Sequence, residues 1–145
     1  MPTARDILTA KGSAVHSTTA DTTVLDAVQK MNQHKLGALV VLDGLQLVGM
    51  FTERDVLRRI VGDERNPRKT TVGEVMTREV MCCAPDSDID EVSAIMKKRR
   101  IRHIPVCDDT GKLYGVISIG DVNAHFASHQ EAQIVFLNEY LFGRA

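Results

Sequence analysis

Apolar residues recur along the chain first at helical spacing and then at strand spacing. Val24, Val28 and Met31 follow an i, i+4, i+7 pattern, which predicts an amphipathic helix with one buried stripe. Two short apolar runs follow at 38–42 and 47–52, and the Asp-Gly pair between them predicts a β-hairpin, because such a turn needs positive φ. A second helical pattern completes this unit with apolar side chains at Val56, Leu57, Ile60 and Val61.

The same order of elements returns in the second half of the chain. Residues 15–43 align with 80–108, and residues 49–56 align with 115–122. Identical residues at equivalent positions include Asp21 and Asp86, Met31 and Met96, Gly49 and Gly115, and Asp55 and Asp121. Repetition over this length predicts one structural unit that is built twice.

A short helical lead-in precedes each copy. The segment 6–9 (DILT) is similar to 74–77 (EVMT), so the predicted unit is lead-in helix, short strand, helix, hairpin and helix. A sheet of two or three strands cannot bury enough apolar surface to be stable alone. We therefore predict an α/β (α+β) fold, in which two β-α-β-β-α repeats pack together with pseudo-twofold symmetry.

Changes in composition divide the chain into four parts. The first repeat is predicted over residues 5–62, a polar linker over 63–71 and the second repeat over 72–128. Residues 129–145 form a predicted C-terminal helical extension. Its apolar side chains at helical spacing, Ile134, Leu137 and Leu141, are expected to cover the core or a partner subunit.

The composition excludes several classes of partner. The formal net charge of the 145 residues is −1, so no overall field attracts nucleic acid or an anionic membrane. No apolar run approaches the roughly 20 residues that span a bilayer, and none near the N-terminus suits a secretory signal. Three cysteines without CxxC spacing argue against a disulfide framework and against structural zinc. We expect a reduced, cytoplasmic protein with no membrane or nucleic-acid partner.

A hydroxyl residue stands three positions before an aspartate at the end of each hairpin. Thr52 and Asp55 form this pair in the first copy, and Ser118 and Asp121 form it in the second. One interpretation is a capping box that stabilises the following helix by about 1 kcal/mol. The other is a binding site, because the carboxylate can accept from two ribose hydroxyls and a helix start attracts phosphate. The spacing alone favours capping, whereas its duplication at the same point favours binding.

On these residues the sequence resembles a tandem cystathionine-β-synthase (CBS) domain pair, also called a Bateman module. The resemblance extends over about residues 5–128 and is carried by GMFTERD at 49–55, GVISIGD at 115–121 and RHIPV at 102–106. It implies two CBS-type repeats with clefts between them that bind adenosine-containing ligands. Such ligands include AMP, ATP, NAD and S-adenosylmethionine.

The resemblance also implies which residues contact the ligand. Asp55 and Asp121 would hold ribose hydroxyls, and Thr52 and Ser118 would assist at the ribose or a phosphate. Lys35 and Arg100 end the first helix of each copy, at positions that often reach phosphate. Adenine would lie near Ser17, Thr18, Thr19, Gly37 and Ala38 in one cleft and near Cys82, Cys83, Ala84, Arg102 and His103 in the other. Ile104 and Pro105 are also expected to contact the ligand.

The predicted function is regulatory rather than catalytic. The sequence contains no Walker loop, no Gly-Xaa-Ser-Xaa-Gly elbow and no paired catalytic carboxylates. We predict a sensor, forming a homodimer or acting on a regulated protein, that binds AMP, ADP, ATP or NAD and no metal. The alternatives are an interaction protein whose pockets bind nothing and a nucleotide hydrolase. For the vicinal Cys82 and Cys83 we expect a buried structural role rather than redox chemistry.

Overall fold

The structure is a computed structural model that describes residues 2–12 and 14–142. In the last helix, side chains are described at 119–128, 130, 134, 137 and 141. The elements are α1 (Ala4–Lys11), β1 (Ser17–Thr18), α2 (Val24–His34), β2 (Ala38–Asp43), β3 (Gln46–Thr52), α3 (Glu53–Asp55), a π-helix (Val56–Val61), α4 (Val72–Val75), α5 (Ile89–Arg99), β4 (His103–Cys107), β5 (Leu113–Ser118) and α6 (Ile119–Phe142). Two small sheets lie among helices, so the predicted mixed α+β fold class is confirmed.

The first repeat contains a three-stranded sheet in the order β1-β2-β3. β1 is parallel to β2, and β2 is antiparallel to β3 with Val40 opposite Met50. The hairpin turn contains Gly44 at φ 61°, as the Asp-Gly pair predicted.

The second repeat contains only two strands, β4 and β5, among the described residues. The predicted short strand before α5 is reduced to one parallel bridge between Cys83 and Val106. The chain turns directly after this bridge, because the N–H of Ser87 donates to the carbonyl of Ala84 at 3.0 Å. Pro85 lies inside the turn and has no N–H to extend the ladder.

Helices α2 and α5 occupy equivalent places and bury the predicted stripes. Val24 and Met31 are buried in α2, and Ile89 and Met96 are buried in α5. Thr23 and Asp88 cap their N-termini through side-chain oxygens, and Lys35 and Arg100 end them in the left-handed conformation at φ 55° and 54°. The local sequence therefore sets both ends of each helix.

The helices that follow the hairpins depart from the prediction. In the first repeat α3 continues as a π-helix, where Ile60 is buried but Leu57 and Val61 are 66% and 65% exposed. Of the four apolar residues of this segment, Ile60 belongs to the core of the first repeat and Val56 packs against it.

In the second repeat, α6 runs unbroken to Phe142, so the extension is a continuation of this helix within the described residues. Ile134, Leu137 and Leu141 are 58%, 51% and 66% exposed. They do not cover the core of their own chain, and the expected contact with a partner subunit stays a prediction.

The two lead-in helices are exchanged between the repeats. Ala4, Ile7 and Leu8 of α1 belong to the core of the second repeat, and Val72 and Val75 of α4 belong to that of the first. Each core is therefore completed by a helix from the other half of the chain.

Backbone hydrogen bonds repeat this exchange at equivalent residues. The N–H groups of Ala4 and Arg5 donate to the carbonyls of Ser87 and Pro85, each at 2.9 Å. Those of Val72 and Gly73 donate to the carbonyls of Thr22 and Ala20, each at 2.8 Å. The second pair of acceptors aligns with the first, so the two halves are related by the expected pseudo-twofold arrangement.

Two equivalent glycines allow the exchanged segments to approach the hairpins. A Cβ on Gly115 would lie 2.7 Å from Cδ2 of Leu8 in α1. A Cβ on Gly49 would lie 2.7 Å from Sδ of Met76 and 2.9 Å from the backbone oxygen of Thr77. The absence of a side chain at these positions is required by the packing, since a Cβ would overlap its neighbours.

We predict that Gly49→Ala destabilises the fold by about 1–3 kcal/mol and costs more than Gly115→Ala. The added methyl at 49 meets a backbone carbonyl that cannot turn aside, whereas that at 115 meets the end of a leucine side chain. Urea unfolding of both variants measures the difference. An equal or smaller loss for Gly49→Ala would contradict this explanation.

Candidate functional site

Two cavities open where the repeats meet. The large cleft has a volume of about 670 Å³, and the small cleft has a volume of about 280 Å³. The large cleft is lined by Thr52, Glu53, Asp55, Glu79, Val80, Met81, Arg102 and His103, together with Arg54, Arg58, Arg59 and Arg99. The small cleft is lined by Lys11, Val15, His16, Lys35, Gly37, Ala38, His103 and Ser118, among others.

Each cleft combines residues of both repeats. The large cleft brings Thr52 and Asp55 of the first repeat to Arg102 of the second. The small cleft brings Lys35 of the first repeat to Ser118 of the second. Each cleft therefore contains predicted ligand contacts from both repeats, rather than from a single repeat.

The predicted capping boxes are both present. The Asp55 Oδ2 accepts from the N–H of Thr52 at 3.0 Å, and the N–H of Asp55 donates to Oγ1 of Thr52 at 3.3 Å. The Asp121 Oδ2 accepts from the N–H of Ser118 at 2.8 Å, and the N–H of Asp121 donates to Oγ of Ser118 at 3.1 Å. The capping interpretation is thus confirmed, and it leaves binding open because each carboxylate oxygen can accept more than one hydrogen bond.

The two aspartates differ in their further contacts. Asp55 is buried, and its Oδ1 accepts from the hydroxyl of Thr77 at 3.1 Å. Asp121 is less buried, and its Oδ2 lies 2.7 Å from the ammonium of Lys11, which also donates to the carbonyl of Val116 at 2.8 Å. Asp121 itself lies outside the lining of the small cleft, but Lys11 lines that cleft and holds this carboxylate closely. Asp55 lines the large cleft, and its nearest cation, Nε of Arg59, is 4.0 Å from Oδ1.

Lys11 also changes the acidity of Asp121. Burial by itself would raise the pKa of Asp121, but the hydrogen bonds from Lys11 and from the Ser118 N–H outweigh it and hold the pKa below its ordinary value. Sequence analysis missed Lys11, because a lysine at a helix C-terminus is usually a solvated cation. Only the exchange of α1 into the second repeat brings it to this cleft.

His103 forms a wall between the two clefts. Together with Gly37 and Met50 it lines both cavities. Burial is the largest cause that lowers its pKa, the Arg102 charge lowers it further, and Glu53 acts in the opposite direction. At neutral pH the side chain is therefore an uncharged imidazole, with one donor and one acceptor nitrogen.

Arginines dominate the charge of the large cleft. Five arginines line it against three acidic residues, Glu53, Asp55 and Glu79. Arg59 is held in place, because its guanidinium donates to the carbonyls of Val75 and Met76 at 2.9 and 3.0 Å. The remaining arginines of this set, Arg54, Arg58, Arg99 and Arg102, are exposed. The excess of positive charge suits an anionic ligand.

Several predicted ligand contacts, Asp121 among them, lie outside the lining of both clefts. Ser17 and Thr18 form β1, and the Thr19 hydroxyl contacts Asp21 and Thr22. The small cleft is instead lined by Val15 and His16, which precede them in the chain. In the second repeat the large cleft is likewise lined by Val80 and Met81, the two residues before the predicted Cys82, Cys83 and Ala84. Ile104 and Pro105 are buried in β4. The large cleft is lined by Arg99 rather than by the predicted Arg100. Ligand contact by these residues stays a prediction.

The cysteines correct one expectation. Cys83 is buried in the core of the second repeat, as expected, but Cys82 is exposed. Among the described residues, no cluster of three His, Cys, Asp or Glu side chains could hold a metal ion. None of the helices, within the residues that were described, is long and apolar enough to cross a membrane.

Comparison with known proteins agrees with this architecture. The sequence profile of the CBS domain matches residues 4–62 and 72–128. The chain belongs to the CBS-domain family. It is similar to the mitochondrial CBS domain-containing protein CBSX3 of Arabidopsis thaliana, with 37% identity over 97% of this chain and 72% of the relative.

Solved CBS-domain structures share the fold. One from Burkholderia ambifaria has 39% identity and a TM-score of 0.83, over 89% of this chain and 96% of that chain. The CBS domain pair of protein MJ0100 has 26% identity and a TM-score of 0.76, over 89% of this chain and 98% of that chain. That structure is a complex with 5′-methylthioadenosine and S-adenosyl-L-methionine, so a CBS pair of this shape binds adenosine-containing molecules.

We predict that Lys11→Met lowers the free energy of unfolding by up to about 1 kcal/mol at pH 7, because the Lys11–Asp121 pair is partly exposed. The contact holds the pKa of Asp121 below that of an unfolded aspartate, about 3.9. Its contribution is therefore complete above that pH and is lost as the pH falls through the folded-state pKa.

Urea unfolding between pH 3 and 8 would show the wild-type and Lys11→Met curves converging at the acidic end. Lys69→Met, an exposed substitution in the linker, is the matched control and should differ little at any pH. A Lys11→Met deficit that persists unchanged at acidic pH would show that the loss comes from packing rather than from this ion pair.

Proposed function

We propose that this CBS pair is a regulatory module that binds an adenine nucleotide in the large cleft and is not an enzyme. The observation that carries this proposal is the crossed composition of that cleft. The Thr52–Asp55 pair of the first repeat faces Arg102 and His103 of the second, inside an arginine-rich cavity. Its volume lies within the roughly 300–1,000 Å³ that is usual for small-molecule sites.

The adenosine part of the ligand is supported by Asp55. Its carboxylate lines the cleft while it accepts from Thr52 and Thr77. Two carboxylate oxygens provide about four lone-pair positions, so acceptor capacity remains for ribose hydroxyls. The adenosine ligands of MJ0100 support the same chemical class for this fold.

The arginines favour a phosphorylated ligand. AMP, ADP, ATP and NAD carry negative phosphate charge, whereas S-adenosylmethionine carries a positive sulfonium. Arginine forms strong, often bidentate, hydrogen bonds to phosphate, and it repels a nearby cation. Asp121 does not line the small cleft and is already paired with Lys11 at 2.7 Å, whereas Asp55 lines the large cleft, so the large cleft is the better candidate for the primary site.

Regulation would follow from the position of the cleft between the repeats. A ligand that contacts both repeats favours the arrangement in which all its contacts are complete. It shifts the module only by the difference between its affinities for two such arrangements. The output would reach a regulated protein or the second chain of a homodimer.

We predict that AMP, ADP, ATP or NAD raises the melting temperature more than S-adenosylmethionine does at equal concentration. Arg102→Met should weaken phosphorylated ligands by about 1.5–3 kcal/mol, or roughly 10- to 150-fold, without weakening S-adenosylmethionine. Arg5→Met, an exposed change outside both clefts, is the matched control. Calorimetry at two salt concentrations measures these affinities.

The binding series also separates the alternatives. Affinity for phosphorylated ligands should fall as salt rises, because partly exposed charge pairs are screened. If no nucleotide changes the melting temperature, the chain is an interaction protein with pockets that do not bind nucleotide. If ATP or NAD is consumed during incubation with the pure protein, the hydrolase alternative is correct.

A homodimer is supported by apolar surface on two helices. The exposed side chains are Leu57 and Val61 after the first hairpin and Ile134, Leu137 and Leu141 on α6. Contiguous apolar patches are seldom left in contact with water, and a second copy of the chain would cover them.

Light scattering at micromolar concentration should therefore give twice the 16.0 kDa of one chain. The double variant Val61→Asp/Leu137→Asp should give monomers, because each new carboxylate would be buried without a partner. Leu45→Asp changes a still more exposed apolar residue in the first hairpin turn and should leave the dimer intact. A monomeric wild type would exclude this assembly.

A further inference from the structure

Two cysteine sulfurs lie side by side next to the large cleft. Sγ of Cys107, the last residue of β4, is 3.7 Å from Sγ of Cys82. Cys82 is exposed to solvent, whereas Cys107 is only 9% exposed. One thiol of the pair is therefore accessible to a reagent and the other lies directly behind it.

The backbone fixes this pairing. The N–H of Cys83 donates to the carbonyl of Pro105, and the N–H of Cys107 donates to the carbonyl of Cys83, both at 2.9 Å. This bridge sets Cys83 opposite Val106, and both side chains enter the core of the second repeat. Neighbouring side chains in extended backbone alternate between faces, so Cys82 and Cys107 share the other face.

We propose that Cys82 and Cys107 are a reversible dithiol–disulfide pair that is oxidised by a small disulfide such as glutathione disulfide. The Cys82 thiolate attacks one sulfur of the oxidant, which forms a mixed disulfide and releases one glutathione thiolate. The Cys107 sulfur then loses its proton to that thiolate and attacks the Cys82 sulfur, which releases the second glutathione. Two protein thiols are oxidised to one disulfide, and one glutathione disulfide is reduced to two thiols.

The environment of each sulfur agrees with this order. Burial, with the neighbouring Cys82, raises the pKa of Cys107 to about 12, so the exposed Cys82 rather than Cys107 makes the first attack on the oxidant. Burial raises the pKa of Cys83 to about 11, and its side chain faces the core. A disulfide bond of roughly 2.0 Å requires the two sulfurs, now 3.7 Å apart, to approach by about 1.7 Å.

The disulfide would join two parts of the large-cleft wall. Val80 and Met81 line that cleft just before Cys82, and His103 lines it at the start of the strand that ends in Cys107. The bond would close a loop over residues 82–107 that contains α5 and Arg99. Oxidation would therefore restrict the movement of this wall, whatever ligand the cleft binds.

The experiment uses the full chain, first reduced, then equilibrated in glutathione buffers of increasing oxidised fraction and alkylated. Apart from any alkyl group on Cys83, we expect the intact mass to lie two hydrogen atoms below that of the reduced, unalkylated chain. We also expect a cross-link between the tryptic peptides 79–97 and 103–112, which dithiothreitol reverses. The oxidised form should melt several degrees above the reduced form. Cys83→Ser should keep the cross-link, whereas Cys82→Ser and Cys107→Ser should each abolish it.

Other products of the same experiment would overturn the proposal. These are glutathione on Cys82 without a cross-link, a bond between Cys82 and Cys83 within one tryptic peptide, and a cross-link lost in Cys83→Ser. A fully reduced chain in the most oxidising buffer would overturn it as well. Circular dichroism of each serine variant checks that the variant is folded, and a serine variant that fails to fold is replaced by the corresponding alanine variant.

Discussion

The exchange of the lead-in helices is the contact on which the rest of the structure depends. Without α1 the second repeat would expose the apolar face that Ile7 and Leu8 cover. Without α4 the first repeat would expose the apolar face that Val72 and Val75 cover. Each half of the chain therefore depends on a helix of the other half to cover its core. Both clefts lie between the two repeats that this exchange ties together.

The exchange also makes the clefts unequal. α1 has eight residues and α4 has four, and only the longer helix carries a lysine to the carboxylate of the opposite repeat. Asp121 therefore accepts from an ammonium at 2.7 Å, whereas the equivalent Asp55 accepts from the hydroxyl of Thr77 and has Nε of Arg59 only at 4.0 Å. A duplicated sequence has in this way produced two sites of different charge and size.

Local patterns predicted the elements well, because spacing and capping act within a few residues. The stripes of α2 and α5 and both capping boxes are examples. The partner of each lead-in helix could not be predicted, since 6–9 and 74–77 carry the same pattern and only tertiary packing selects between them. For the same reason the sequence did not predict the contact of Lys11 with Asp121 or that of Cys82 with Cys107, since both depend on tertiary packing. The exposure of Leu57 was not predicted either, because the segment forms a π-helix rather than an α-helix.

The shared position of His103 has a consequence for any pair of molecules that occupy both clefts. An uncharged imidazole has a single hydrogen to offer, and its other nitrogen can only accept. If the occupant of one cleft takes that hydrogen, the occupant of the other meets the lone pair and must itself supply a donor. The tautomer of His103 thus requires the two occupants to have complementary hydrogen-bonding groups, although the two repeats share one sequence pattern.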